Sequence, residues 1–170
     1  MKKPGMIVAI EPPNYKPEIR TSADRANAKP AAKLVIGIDP GTRTGIAWRV
    51  DNQQMQVATK SLYDAMDIIE DLVKQYGVAH TRIWIEDARI NRPVFDRGQN
   101  HAASLKIAQN VGSVKRDTGL LEEHCKRQGV TPLMVRPSSS KWSARIMLAA
   151  TGRARCCQHA RDAAKLISGK

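Results

Sequence analysis

LVIGIDPGTRTGIAWRV, the segment from Leu34 to Val50, contains the clearest strand pattern of the chain. An apolar run of strand length ends abruptly in Asp-Pro-Gly at residues 39–41, and a second β-rich run begins at Gly45. The segment therefore predicts two strands and a tight turn, with an acid where a buried strand ends. A carboxylate held there is poorly solvated unless a cation offsets it, which favours metal ligation by Asp39. The segment also fits a tight hairpin whose acid only caps the turn.

The charge of the chain is strongly positive and unevenly distributed. Its 170 residues include 28 Lys or Arg and 16 Asp or Glu, which gives a net charge of +12. Residues 124–170 contain ten of the basic residues and a single acid, Asp162, so this part alone carries +9. So much positive charge in one part of a domain predicts binding to a polyanion, of which nucleic acid is the commonest. A basic surface that serves only solubility is the alternative.

Several classes of site and segment have no sequence signal. No apolar run approaches the roughly 18 residues of a membrane span, and no signal peptide is evident, so we expect no membrane partner. The expected location is the cytoplasm, in association with the nucleoid, or the host cytoplasm for a phage protein. No phosphate loop of the nucleotide-binding kind occurs, so no nucleotide cofactor is expected. Cys125, Cys156 and Cys157 match no zinc spacing and are expected to be reduced thiols.

The pattern along the chain predicts an arm and one α/β domain. Residues 1–32 hold five of the nine prolines and show no sustained periodicity, which predicts a flexible basic arm. Residues 33–170 alternate strand-like and helix-like segments over a length that suits one domain with a normal core. Strands are predicted at 34–38, 45–50, about 54–60, 82–86 and 131–135. Helices are predicted between Ser61 and Gly77 and at about 99–128, 138–150 and 155–167.

Two of these helices carry further signals. Ser61 with Asp64 resembles a capping box, and Gly77 supplies a stop at the C-terminal end of the same helix. The long helix has a face of mostly small residues, which predicts close packing against the sheet, with Gly119 as a candidate interruption. The residues of this face are Ala102, Leu105, Ala108 and Val111 or Gly112.

Three acids and a histidine occupy positions that a fold can bring together. Asp39 and Glu86 each end a predicted strand, and His159 and Asp162, three positions apart, share one face of the last predicted helix. If the strands are neighbours and the helix lies over their ends, these side chains converge. Such a set of ligands suits Mg²⁺ or Mn²⁺ and can hold two ions about 4 Å apart. For His159, a place on the surface of a basic helix is the simpler interpretation.

Four segments carry a resemblance to a known family. IGIDPGTRTGIA, IWIEDAR, SLKIAQNVGSV and HARDAAKLI occur in this order between residues 34 and 167. They resemble the four signature regions of the RuvC family of Holliday junction resolvases, in the ribonuclease H-like superfamily. The resemblance implies an α/β, ribonuclease H-like fold with a mixed five-stranded sheet, three antiparallel strands and then two parallel ones, flanked by helices. The additional N-terminal arm fits a phage or otherwise divergent member.

The resemblance also implies an activity and its partners. It implies a homodimer that resolves four-way DNA junctions by paired symmetric nicks, as an endodeoxyribonuclease of DNA recombination and repair. Hydrolysis would use two Mg²⁺ ions per active site, for which Mn²⁺ can substitute. The long helix is the expected dimer interface.

The residues of the active site follow from the same resemblance. It implies that Asp39, Glu86, His159 and Asp162 are catalytic metal ligands. Lys141 is the best candidate for a catalytic lysine that meets the scissile phosphate or an adjacent one.

Contacts with nucleic acid are expected from a loop and from the basic C-terminal region. The family has an aromatic wedge shortly after its second acid, where this chain has polar residues. Phe95, nine residues after Glu86 and flanked by arginines, is therefore the candidate wedge. A buried loop anchor for Phe95, and ordinary surface charge for each cation, are the alternatives. The expected contacts are Phe95, Arg92, Arg97, Lys141, Arg145, Arg153 and Arg155.

Three other functions fit parts of the pattern. A ribonuclease H-like nuclease could act on structured RNA or on other branched DNA. A catalytically inactive junction-binding protein would share the basic charge, although three clustered carboxylates would repel its phosphates. A phosphate binder similar to the sugar kinases could use the same Asp-Pro-Gly turn, but the basic charge and the lack of a second phosphate loop disfavour it.

Overall fold

The apolar segments of the sequence form one sheet in the computed structural model, which describes residues 33–90 and 101–170. The strands are β1 (Leu34–Asp39), β2 (Thr44–Val50), β3 (Gln56–Lys60), β4 (Thr81–Glu86) and β5 (Leu133–Val135). The helices are α1 (Leu62–Tyr76), α2 (His101–Arg127), α3 (Ala144–Thr151) and α4 (Gln158–Leu166). Two short 3₁₀ segments, Val78–His80 and Ala88–Ile90, flank β4. The predicted arm, residues 1–32, lies outside the described residues.

The sheet has the strand order β3-β2-β1-β4-β5. β1 pairs antiparallel with β2, and β2 antiparallel with β3, whereas β4 lies parallel to β1 and β5 parallel to β4. Neighbouring parallel strands need a crossover, which α1 provides before β4 and α2 provides before β5. The α/β class and the mixed five-stranded sheet flanked by helices are therefore confirmed.

The two faces of the sheet bury different helices because side chains alternate along each strand. On one face, Leu34, Ile36 and Ile38 of β1 pack in a core with residues of α1 and α2. On the other face, a second core packs Ala47 of β2 against the alanines of α4. β4 alternates in the same way, with Ile83 and Ile85 in the first core and Trp84 against the second. Helix α4 is therefore the layer that covers the second face.

Glycines on the second face allow α4 to lie directly on the sheet. A Cβ at Gly37 would clash with the backbone oxygen of Ala163, and a Cβ at Gly45 would clash with the backbone oxygen of His159. The backbone of α4 therefore contacts the backbone of β1 and β2. This close approach fixes the N-terminal part of α4 over the ends of the strands.

The predicted limits of α1 are confirmed. The hydroxyl of Ser61 accepts a hydrogen bond from the backbone N–H of Asp64, which caps the first turn. Gly77 ends the helix with a φ of 84°, a conformation that favours glycine. The buried residues Ala65, Ile69 and Val73 lie one turn apart and face the sheet.

The prediction for the long helix is wrong in its packing. The N-terminal half of α2 does not lie against the sheet: Leu105 is 51% exposed, and a Cβ at Gly112 would meet nothing within 4 Å. Only the C-terminal half packs, through Leu121 and Cys125. A helix of 27 residues extends about 40 Å, roughly twice a six-residue strand, so half of it passes beyond the sheet. Gly119 does not interrupt the helix.

None of the helices in the described ranges combines the length and the apolar character that a membrane span requires.

Two predicted helices and two strands begin later than expected. α3 begins at Ala144 instead of residue 138, and α4 begins at Gln158 instead of residue 155. α3 begins at Ala144 because the hydroxyl of Ser143 caps its first turn by accepting from the backbone N–H of Ile146. In the segment before it, Nζ of Lys165 donates to Ser138 and to the backbone oxygen of Ser140. The third and fifth strands begin at residues 56 and 133 instead of about 54 and 131.

Candidate active site

Asp39 and Glu86 lie side by side where two neighbouring parallel strands end. Asp39 is the last residue of β1 and Glu86 the last of β4, and the register pairs Ile38 with Ile85 immediately before them. Gly37 of β1 and Trp84 of β4 lie on the face of the sheet that α4 covers. Asp39 and Glu86 come two residues later on the same strands, and because side chains alternate between the two faces, both carboxylates lie on that face as well. The topology of the sheet thus brings together two acids that are distant in the sequence.

Helix α4 brings His159 and Asp162 to the same place. Nδ1 of His159 lies 2.7 Å from Oδ2 of Asp39. Asp162 lies one turn further along α4, is buried, and is close enough for its charge to act on both Asp39 and Glu86. The four residues predicted as metal ligands are therefore neighbours in space. We refer to Asp39, Glu86 and Asp162 together as the acid cluster.

Lys141 contacts the acid cluster through an ion pair. Its Nζ lies 2.6 Å from Oδ2 of Asp162, and Gln158 donates from Nε2 to the other oxygen of that carboxylate at 3.0 Å. The hydrogen bond to Asp162 raises the pKa of Lys141, so the lysine is charged at neutral pH. Half of the Lys141 side chain is exposed, so this charge stands at the border between the acid cluster and solvent.

The acids of the cluster share one electrostatic environment. Burial raises the pKa of Glu86 from its ordinary value of 4.5 to about 7, and the charges of Asp39 and Asp162 add to the effect. Burial also raises the pKa of Asp39, and the charge of Asp162 acts in the same direction, while the hydrogen bond from His159 opposes it. The charges of Lys141 and Lys165 oppose this effect on Glu86 but do not cancel it, so its protonated form is favoured up to about pH 7.

The donor set of the site fits a hard divalent cation. Within residues 33–90 and 101–170, no three His, Cys, Asp or Glu side chains already stand in a metal-binding arrangement. Two of the acids instead contact basic side chains, Asp39 with His159 and Asp162 with Lys141. Three carboxylates are nevertheless the kind of ligand that Mg²⁺ and Mn²⁺ take in proteins. Partly buried carboxylates that repel one another would be stabilised by such a cation.

The other predicted contacts with nucleic acid are spread more widely. Arg145 is exposed in the first turn of α3, and Arg155 is exposed in the connection between α3 and α4. Arg153 follows the end of α3, where Gly152 lies against Gln54, before the start of β3. That is the end of the sheet opposite to Asp39, so Arg153 is not brought to the acid cluster. Three of the predicted contacts lie outside the described residues: Arg92, Phe95 and Arg97.

A second acid after β4 has a structural partner that the sequence analysis missed. Asp87 is buried, and Arg89 donates to it from Nε at 2.8 Å and from Nη2 at 3.0 Å. The same guanidinium contacts Glu122 of α2 at 2.6 Å. The hydrogen bonds from Arg89 lower the pKa of Asp87, so Asp87 carries a charge that is already paired. This network ties the segment after Glu86 to α2, and the sequence signal for it is the basic residue two positions after Asp87.

Two further basic residues lie beside the acid cluster. Arg136 and Lys165 line a pocket of about 270 Å³ that Glu86 and Asp162 also line. Lys165 lies three positions after Asp162 on α4. This helical spacing could have predicted that the two side chains share a face. Arg136 directly follows β5. Its position beside Glu86 depends on the pairing of β5 with β4, which the sequence does not show.

No protein-family model matches this chain, and no curated protein matches it either. The candidate site therefore rests on the placement of its own residues.

Proposed function

We propose that the protein is a metal-dependent endonuclease of the RuvC type, with a ribonuclease H-like fold, that resolves four-way DNA junctions. One observation carries this proposal: Asp39 and Glu86 lie abreast at the ends of parallel strands, and α4 lays Asp162 and His159 over them. A protein that only binds DNA gains nothing from three neighbouring carboxylates that repel phosphate.

The metal ligands in this proposal are the acid cluster and His159. Asp39, Glu86, Asp162 and His159 would hold one or two Mg²⁺ ions, with Mn²⁺ as a substitute. Such ions supply Lewis acidity to a phosphodiester and to the water that attacks it. Asp39 ends β1 and contacts His159 of α4, so it links the sheet to the helix within the site.

Lys141 and His159 have separate roles in the proposed reaction. Lys141 carries a positive charge at the exposed border of the site, where it can bind a phosphate oxygen and hold the substrate in position. When His159 donates from Nδ1 to Asp39, the lone pair of its Nε2 remains free to ligate an ion or to position the attacking water. Lys141 contacts an acid of the cluster, so a cation bound there would release its ammonium toward substrate.

The substrate and the assembly follow from the sequence resemblance together with the charge. A domain with a net charge of +12 favours nucleic acid. The resemblance to junction resolvases selects four-way DNA, and a homodimer would supply the two active sites that paired nicks need. Structured RNA and other branched DNA are the substrates from which a junction must be distinguished.

A cleavage assay tests this function. The wild-type chain, Asp39→Asn and the control Asp67→Asn are incubated with a four-way junction, a linear duplex and a structured RNA, with Mg²⁺ or with EDTA. Asp67 is an exposed acid of α1, on the other face of the sheet. We expect symmetric junction cleavage by the wild type and by Asp67→Asn, with Mg²⁺ only, and junction binding without cleavage by Asp39→Asn. Cleavage in EDTA, undiminished cleavage by Asp39→Asn, or preferred cleavage of the RNA would contradict the proposal.

A further inference from the structure

An open groove runs along β4 on the face of the sheet that α4 only partly covers. Two pockets, of about 270 and 250 Å³, follow this strand and share Trp84 and Lys170 in their walls. The first adjoins Glu86 and Asp162, and the second reaches Arg82 at the other end of β4. Four residue steps separate Glu86 from Arg82, a distance of about 13 Å. The groove therefore leads from the acid cluster across the sheet.

The groove is open within residues 33–90 and 101–170, because no helix of these ranges lies over β4 and β5 on the second face. α4 packs mainly on β2 and β1, and only its edge reaches β4. Leu133 of β5 is paired with Trp84 in the register, lies on the same face, and is 52% exposed. An exposed leucine and a partly exposed tryptophan on a sheet face leave an apolar floor that solvent can reach.

The walls of the groove are basic along almost its whole length. Among the described residues that line the two pockets, Glu86 and Asp162 are the only acids, and both lie at the end next to the acid cluster. The basic residues extend from that end to the opposite one: Lys165, Arg136, Lys170, Arg82 and Lys33. Several positive side chains along one groove suit a chain of phosphates.

Trp84 indicates which class of polyanion the groove would bind. Trp84 lines both pockets, and basic residues line each pocket on either side of it. Single-stranded nucleic acid offers unpaired bases that stack on an aromatic ring, whereas the bases of a duplex already stack on one another. An acidic peptide would use the basic walls but gains no comparable contact from an indole. The combination of basic walls and an accessible tryptophan therefore fits an unpaired nucleic-acid strand.

We propose that the groove along β4, from Glu86 to Arg82, binds an unpaired nucleic-acid strand and leads it away from the acid cluster, with a base stacked on Trp84. The identification of this strand as part of a cleaved substrate rests on the proposed nuclease function. The groove itself binds without metal, because its basic residues and Trp84 lie outside the acid cluster.

Fluorescence of the full chain in EDTA tests the stacking contact. An oligo-dT strand of about 12 nucleotides is titrated into the wild type, Trp84→Phe and Trp48→Phe. Trp48 packs in the core on the opposite face of the sheet and serves as the control. We expect quenching by oligo-dT in the wild type and in Trp48→Phe, and its loss in Trp84→Phe. Equal quenching in Trp84→Phe, or equal quenching by a blunt duplex, would overturn the proposal.

The salt dependence of the same binding tests the basic walls. Arg82→Gln and Arg136→Gln each remove one phosphate contact, so each is expected to lower the log–log salt slope by about 0.7. The control Arg127→Gln removes an exposed charge of α2, whose partner is Glu123, and is expected to leave the slope unchanged. Identical salt slopes in the wild type and all three variants would overturn the proposal that the groove binds the strand.

Binding and cleavage outcomes separate the two proposals. Loss of quenching in Trp84→Phe without cleavage of any substrate would support the groove and refute the nuclease. Junction cleavage by a protein whose Trp84 does not respond to oligo-dT would support the nuclease and refute the groove.

Discussion

Asp39 and Glu86 end two adjacent parallel strands side by side, each directly after a buried isoleucine of the same register pair. This arrangement holds two carboxylates on rigid backbone at the point where the sheet meets α4. A third acid, Asp162, and the imidazole of His159 come from α4, whose position depends on glycines in the sheet. The chemistry proposed for the protein depends on this meeting of strand ends and helix.

The first prediction concerns the charge of Glu86. Burial raises its pKa to about 7 in the folded protein, above the ordinary value of 4.5. Between these two values the folded state binds more protons than the unfolded state, so the free energy of unfolding falls as pH rises from about 4.5 to 7. Glu86→Gln carries no such charge. We expect it to be more stable than the wild type above pH 7, by on the order of 2 kcal/mol, and equally stable near pH 4.

Urea unfolding in EDTA, followed at several pH values, measures this difference. Asp67→Asn, at an exposed position, is expected to show no pH-dependent difference from the wild type. A stability gain by Glu86→Gln that is equal at pH 4 and pH 8 would show that the effect is one of packing rather than charge.

The second prediction concerns the contact between β2 and α4. A Cβ at Gly45 would clash with the backbone of His159, so Gly45→Ala must push α4 away from the sheet. We expect a loss of roughly 2 kcal/mol in stability, since backbone can give way less easily than a side chain. Gly112→Ala is the control, because its Cβ would meet nothing and alanine favours a helix. It should gain about 0.5–1 kcal/mol.

Thermal unfolding of the two glycine variants measures these changes in stability. Junction cleavage by folded Gly45→Ala should also be weaker than that of the wild type. Equal melting temperatures for Gly45→Ala and the wild type would mean that α4 does not rest on the sheet as described.

The third prediction concerns Lys141. Lys141→Met removes the charge at the border of the acid cluster but leaves the acids in place. We expect the single-turnover rate of junction cleavage to fall by about 10²–10³, with a much smaller loss of junction binding. The control is Lys74→Met, which also breaks an ion pair with an acid, Glu70, but on α1. Equal losses in binding and in rate would indicate an ordinary surface contact instead.

Much of the fold could be predicted because its signals are local. The apolar runs that end in Asp39 and Glu86, the cap at Ser61 and the stop at Gly77 depend on neighbouring residues alone, and the structure confirms these elements. The mixed five-stranded sheet was expected from the family resemblance, and the structure confirms the mixed sheet.

The errors arise where packing between distant segments decides the outcome. The spacing of small residues in α2 correctly predicted a helix. It did not predict that the N-terminal half of this helix extends beyond the sheet. The helix predicted from residue 138 begins only after the cap at Ser143, and Ser138 and Ser140 instead contact Lys165 from another element. The ion pair between Lys141 and Asp162 and the basic groove along β4 likewise appear only when strands and helices are brought together.

Binding of Mn²⁺, followed by electron paramagnetic resonance, tests most directly whether β1, β4 and α4 together form a metal site. The full chain is titrated with Mn²⁺ alone, without nucleic acid, alongside Asp39→Asn, Glu86→Gln, Asp162→Asn and the surface control Asp67→Asn. We expect saturable binding by the wild type and by Asp67→Asn, and strongly weakened binding by each of the three variants of the acid cluster. Equal Mn²⁺ binding by all five proteins would contradict the proposed metal site.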